Sequence, residues 1–304
     1  SQSSDTPEGF GNSLKIDVTT ADTSIASSEL FILSYGMEGQ DAQMIKKGTS
    51  EAESLAVSFY AKANASANYV VEVYDNDNTR NNTQAFTVTD SWQRFSFTFA
   101  PDTTGALDDD NALSFYPIQI WLHGGSDYTR GTFASNTWGS VTNANRYAGS
   151  RTSIFDSTDR EFYITGVQVE VGSQATPFEH RSFGEEQELC KRYFQKVNNL
   201  QCIGTTNTSE RLRINATLVP VMRAGPSFTI ISGVVTKFIG GETAVFSADT
   251  SIAQSGQLGA AAIQVDIDNF STNSNGDGGG TTPVDNACFL GHLDQFIYEC
   301  SAEL

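Results

Sequence analysis

Between Tyr116 and Tyr147 the sequence gathers Trp121, His123, Asp127, Tyr128, Arg130, Trp138, Asn145, Arg146 and Tyr147. Aromatic rings and planar polar groups in one stretch suit the recognition of a hydroxylated ring. The aromatic face covers the apolar C–H side, while carboxylate, guanidinium and amide fix the hydroxyls. In Pro117–Gly125 (PIQIWLHGG), alternation sends Ile118, Ile120 and Leu122 to one side and Gln119, Trp121 and His123 to the other. An aromatic on the polar side of a strand is placed for a ligand. The competing expectation is that Trp121 and Trp138 pack under the loop that follows.

Other constellations point to less chemistry. Asp75-Asn76-Asp77 and Asp108-Asp109-Asp110 have the oxygen donors that calcium takes. The run from Asp75, however, has Arg80 where a calcium loop needs glycine for its sharp turn, and Phe86 where it needs a bidentate Glu. Solvated turns are expected, with a structural calcium as the alternative and no other cofactor. His123, His180 and His292 stand far apart and away from cysteines, so no zinc site is implied. There is no GxSxG elbow, HExxH or phosphate-binding loop. A glycosidase needs two converging carboxylates, and 36 acidic residues make any chosen pair uninformative. His180 is expected at a surface or interdomain contact, and the chain is read as not an enzyme.

The elements that must position these residues are short and alternating. The candidate strands are Ser13–Val18, Leu55–Tyr60, Tyr69–Tyr74, Gln84–Val88, Gln93–Ala100, Ile118–Leu122 and Phe162–Val171, each bounded by turn residues. Phe95, Phe97 and Phe99 fall on one face, as do Val167, Val169 and Val171. This is the pattern of an antiparallel jelly-roll sandwich over residues 1–182. Thr176-Pro177 is extended, and Phe178 is placed to plug the end of the core. Ser182 and Glu185 form a capping box, and the helix it starts puts Leu189 over Tyr193 and Cys190 over Phe194. A short connector helix within 183–200, docked by that apolar edge, is expected.

From about residue 201 to 304 a smaller C-terminal β-domain is read, with strands at Arg211–Met222, Ser227–Lys237, Thr243–Ala248, Ala260–Ile267 and Gln295–Cys300. Asn273–Pro283, rich in glycine, is a loop. The length of 304 residues suits two domains and needs no covalent staples, so Cys190, Cys202, Cys288 and Cys300 are expected as free buried thiols, with disulfides the alternative. A net charge of −18 opposes nucleic-acid binding and attraction to anionic membranes. No apolar run is long enough for a spanning helix, so no membrane insertion is expected. The opening SQSSDTPEGFG resembles no signal or transit peptide, and without Met it reads as part of something longer.

The runs GTFASNTWGSVTNANRYAG (Gly131–Gly149) and Asp156–Gln195 resemble a module of structural proteins in tailed bacteriophages, marine and cyanobacterial phages among them. LAVSFYAKA (Leu55–Ala63) and ITGVQVEVG are similar to carbohydrate-binding-module jelly rolls of the galactose-binding-like type. VPVMRAGPSFTI (Val219–Ile230) and the terminal CSAEL resemble the C-terminal β-domain of phage tail-fibre proteins. The resemblance implies a virion protein, such as a tail fibre, that meets host surface glycan without converting it. It implies a homotrimer, with the C-terminal domain as trimer contact or tip, and other virion proteins as partners. It also implies that the first jelly-roll strands lie upstream, because the chain opens almost directly on Gly9–Val18. A purely structural role as spacer, capsid or tail decoration is the alternative.

Overall fold

The computed structural model describes residues 1–22, 24–107 and 115–198. In the C-terminal part it describes 201–208, 211–225 and the strands between 227 and 301. Two compact units divide the chain, Ser1–His180 and Arg181–Leu304. Both are built on antiparallel strands, and the described helices are short.

The first unit contains β1 (Gln2–Ser3), β2 (Ser13–Asp17), β3 (Leu30–Glu38), β4 (Leu55–Ala63), β5 (Ala67–Asp75), β6 (Arg80–Val88), β7 (Gln93–Phe99), β8 (Phe115–Gly124), β9 (Gly139–Ser140) and β10 (Glu161–Val171). One sheet has the order β1-β2-β10-β4-β7 and the other β3-β8-β5-β6-β9. The core lies between them. Val57, Phe59, Phe97, Phe99, Phe162 and Ile164 from the first sheet meet Tyr69, Val71, Val73, Phe86, Ile118, Ile120 and Leu122 from the second. The alternation expected of Ile118, Ile120 and Leu122 is the one observed. The Phe ladder of β7 also points inward, with Phe97 stacked on Phe59 at 5.7 Å between ring centres.

Strand β10 departs from its expected pattern. Its pairing with β4 shifts between Thr165 and Gln168, a bulge in which Gly166 and Val167 both face Phe59. Gly166 adopts φ +60°, and a Cβ there would lie 2.7 Å from the ring of Phe10. The extra residue reverses the alternation. Ile164 and Val169 share the inner face, while Val167 is exposed rather than aligned with Val169 and Val171. Phe178 does not plug the core. It lies on an aromatic cluster with Phe10 at 5.0 Å and His180 at 4.9 Å, and Tyr60 joins through Phe10 at 5.1 Å.

The first sheet opens on β1, which pairs with β2 through Gln2↔Leu14 and Ser3↔Ser13. Strand β3 escapes the alternation rule because LFIL is continuously apolar, and it lies at a sheet edge against β8.

In the second unit, the helix Phe183–Lys191 starts with the expected capping box. Ser182 Oγ accepts from Glu185 N–H at 3.3 Å, and Ser182 N–H donates to Glu185 Oε2 at 3.1 Å. The helix ends before Tyr193, and Phe194 already begins a strand, so the two expected i,i+4 pairs do not form on it. Its residues are exposed apart from half-buried Lys191, Phe183 most of all at 82%. Cys190 is a free thiol on this exposed helix and not a buried one. Described strands make a three-stranded and a seven-stranded antiparallel sheet. The expected strand over Ser227–Lys237 is two strands, Ser227–Ser232 and Val234–Ile239. The expected Arg211–Met222 strand ends at Thr217. The Asn273–Pro283 loop and Asp108–Asp110 lie outside the described residues.

Candidate functional site

The outer face of the second sheet carries the residues singled out by sequence. The register pairs Val70 with Trp121 and Glu72 with Gln119, so Glu72, Gln119 and Trp121 share one face as diagonal neighbours. Strand β6 adds Asn81, opposite Tyr74. The chain from Gly125 to Ser153 then folds back over this face. Two short helical turns, Ser126–Thr129 and Asn143–Arg146, pack on each other within it. Backbone bonds pin the loop: Tyr147 N–H to Tyr128 O at 2.9 Å, Val141 N–H to Thr79 O at 3.0 Å, and Asn136 N–H to Thr83 O at 2.8 Å.

Under the loop lies a closed polar network. The buried carboxylate of Glu72 accepts from Trp121 Nε1 at 2.6 Å, Asn81 Nδ2 at 2.6 Å, Arg146 Nε at 2.9 Å and Arg146 Nη2 at 2.8 Å. Arg146 also donates to Gln119 Oε1 at 3.1 Å. Its guanidinium lies 4.6 Å from the Trp121 ring and 5.0 Å from Tyr74, on the negative faces of the rings. Trp121 is stacked on Tyr147 at 6.0 Å and tilted against Tyr128 at 5.4 Å. Burial pushes the Tyr147 hydroxyl far up, and the hydroxyl donates to Thr152 O at 2.7 Å.

This corrects the expectation that Trp121 faces a ligand. Trp121 is 0% exposed, Tyr147 2% and His123 4%, so none of the three offers a ring to solvent. Alternation placed Trp121 on the correct side of the sheet; the loop then covered that side. Tyr128 and Arg146 are half-buried beside Trp121. Trp138 is separate: it stacks on Tyr116 at 6.3 Å and donates its indole N–H to Ala100 O at 2.7 Å. Asp127 and Arg130 are exposed on the loop, and Asp127 Oδ2 accepts from Ser27 Oγ at 3.1 Å. The exposed groups of the expected site are therefore polar, and its aromatic groups are packed.

Two further clusters carried no signal in the sequence because distant turns assemble them. In the first, the buried ammonium of Lys47 pairs with Asp75 and Asp102, the latter at 3.2 Å, and donates to Thr104 O at 2.9 Å and Gly105 O at 2.7 Å. Arg80 forks onto Asp102 at 2.8 and 2.9 Å. Burial pushes the Asp102 carboxyl up, but hydrogen bonds from Arg80, Thr104 and Lys47 outweigh it and hold the group low. Gly48, at φ +81°, lets the chain turn after Lys47, and a Cβ there would sit 2.6 Å from Ala106 Cα. Asp75 is thus no solvated turn residue, since its carboxylate is taken by Lys47 and by Asn78 at 3.0 Å. Among the described residues no group of three or more His, Cys, Asp or Glu side chains is arranged to hold a metal ion.

The second cluster lies on the outer face of the first sheet. Trp92 donates its indole N–H to Asp5 at 2.9 Å, and Lys62 pairs with the same carboxylate. Both bonds hold Asp5 below the usual carboxylate range. Lys62 lies 4.9 Å from the Tyr163 ring, Trp92 meets that ring edge-on at 6.2 Å, and Lys15 bridges to Glu161 at 2.6 Å. His180, near this face, is exposed and in ring contact with Phe10 and Phe178, a surface position within the first unit.

No family model and no curated protein matches the sequence. Among solved structures the chain is similar to the N-terminal CBM22-1–CBM22-2 tandem domain of Xyn10C from Paenibacillus barcinonensis. The identity is 12%, the TM-score 0.27, and the match covers 99% of this chain and 90% of that one. The architecture follows from the strand order and register described above.

Proposed function

We propose that the chain is a non-catalytic, glycan-binding appendage protein of a tailed-phage virion. One observation carries this reading beyond the sequence resemblance. One outer face of the sandwich sets the half-buried ring of Trp92 beside the Asp5 carboxylate and the Lys62 ammonium, and exposed Asp127 and Arg130 stand over the other. Such pairs suit sugar rings, whose C–H faces stack while hydroxyls bond to charged acceptors and donors. In this reading the chain works as a homotrimer among other virion proteins at the particle surface, where identical chains cover edges that one chain leaves open.

A structural role has its own support. Trp121 and Trp138, the rings that drew attention in the sequence, hold loops against the sandwich, as a spacer or decoration domain would require. Binding of the labelled chain to host cells, before and after their surface polysaccharide is stripped, separates the two. Binding that disappears on stripping supports glycan recognition. Absence of binding by the correctly assembled protein supports the scaffold.

A further inference from the structure

At one rim of the sandwich, β4 ends at Ala63, opposite Phe162 near the start of β10. A cleft of about 370 Å³ opens there, lined by Asn64, Ala65, Asp156, Ser157, Asp159 and Arg160. That volume is at the lower end of small-molecule sites, roughly 300–1,000 Å³. We propose that this cleft is a binding subsite for one residue of a neutral glycan; the proposal rests on the glycan-binding reading above.

Apart from the exposed Asp159 carboxylate, its polar groups are held in place before any ligand arrives. Asn64 Oδ1 accepts from Glu161 N–H at 3.0 Å, and its amide donates to Asp159 O, which ties the β4–β5 turn to the 156–160 loop. Arg160 forks onto Asp156 at 2.6 and 2.8 Å, and Asp159 N–H donates to Ser157 Oγ at 3.1 Å. The wall thus presents a fixed guanidinium, a hydroxyl, an amide and two carboxylates, a set that reads hydroxyl groups by both donation and acceptance. Fixing them beforehand lowers the ordering cost of binding.

One residue along each strand, about 3 Å from the rim, stand Lys62 and Tyr163 with Trp92 beside them. The polar cleft therefore borders the half-buried Trp92 ring and Lys62, with Tyr163 buried between them and the sheet. The charge state selects the ligand class. With a net charge of −18, and with Asp159 in the wall, an acidic sugar meets repulsion that a neutral one does not.

The test uses the full chain on a printed array of neutral and acidic bacterial surface glycans. It compares wild type with Asp159→Ala and with Glu51→Ala, an exposed position before the start of β4, at the opposite end of that strand from the cleft. Unchanged melting curves establish that both variants fold. Expected are wild-type binding to neutral glycans, a loss of about tenfold or more in Asp159→Ala, the worth of one hydrogen bond to a charged group, and no loss in Glu51→Ala. Asp159→Ala binding like wild type removes the site while leaving glycan binding in place. Selective binding of acidic glycans overturns the ligand class. Silence of the wild type across the array removes the glycan reading itself, and this site with it.

Discussion

Trp121 and Glu72 stand on adjacent strands and meet through an indole N–H to carboxylate bond of 2.6 Å, with both side chains out of reach of solvent. Arg146 closes over them and neutralises the carboxylate. A charge in such a place is tolerated only while its partners remain. Glu72→Ala is expected to destabilise the first unit by about 3–5 kcal/mol, because Arg146 loses its counter-charge. Trp121→Ala is expected to cost a similar amount, about 3–5 kcal/mol, through the volume lost. Urea unfolding of both variants checks this. A Trp121→Ala protein as stable as wild type would contradict the packed role assigned to the ring.

The Lys47 corner joins three turns through one ammonium. Lys47→Ala strands Asp75 and Asp102 beside each other, with Arg80 left to balance both. A loss of about 3–5 kcal/mol is expected. EDTA is expected to leave the wild-type Tm unchanged, since the ammonium already fills the space among these oxygens. A fall in Tm with EDTA would show a bound cation contributing to the fold.

His123 makes stability depend on pH. Its Nδ1 lies 2.8 Å from Ser153 Oγ, and Nε2 is buried with no hydrogen-bond partner. Burial holds its pKa below the ordinary 6.5, against the pull of Glu29 and Asp22. As pH falls below 6.5 the unfolded chain takes up the proton before the native protein does. The contribution to stability is therefore complete above that value and is lost as pH falls through it toward the lowered native value. Tm between about pH 7.5 and 5 is expected to fall more steeply for wild type than for His123→Gln. Parallel curves would remove His123 from the acid response.

The bulge at Gly166 sets which residues of β10 face the core. Gly166→Ala must hold a left-handed conformation and displace the Phe10 ring, at a cost of about 1–2 kcal/mol. In Phe10→Ala the steric part is already relieved, so the second substitution should cost less there. A double-mutant cycle measured by urea unfolding reads the difference; equal costs in the two backgrounds would mean that Phe10 does not constrain Gly166.

Much of the sandwich was legible because it follows alternation. Strands β2, β4, β5, β7 and β8 begin or run close to where polar and apolar residues alternate, and the Ser182–Glu185 cap marks its helix. Strand β3 was not legible, since a continuous apolar run has no period. Register was lost at Gly166, because one inserted residue reverses every later side chain without altering the composition. Alternation also gives the side of a sheet on which Trp121 stands, but not whether a later loop covers that side. The Lys47 and Trp92 clusters needed the fold itself, as their members come from turns and strands remote in sequence.

We propose that the chain binds glycan and leaves it intact. Electrophoresis of the full chain through gels containing polysaccharide stripped from host cells, with reducing-end release measured on the same polysaccharide, tests both halves together. Expected are retarded migration and no release of reducing ends. Unretarded migration would contradict binding, and release of reducing ends would contradict the non-catalytic role.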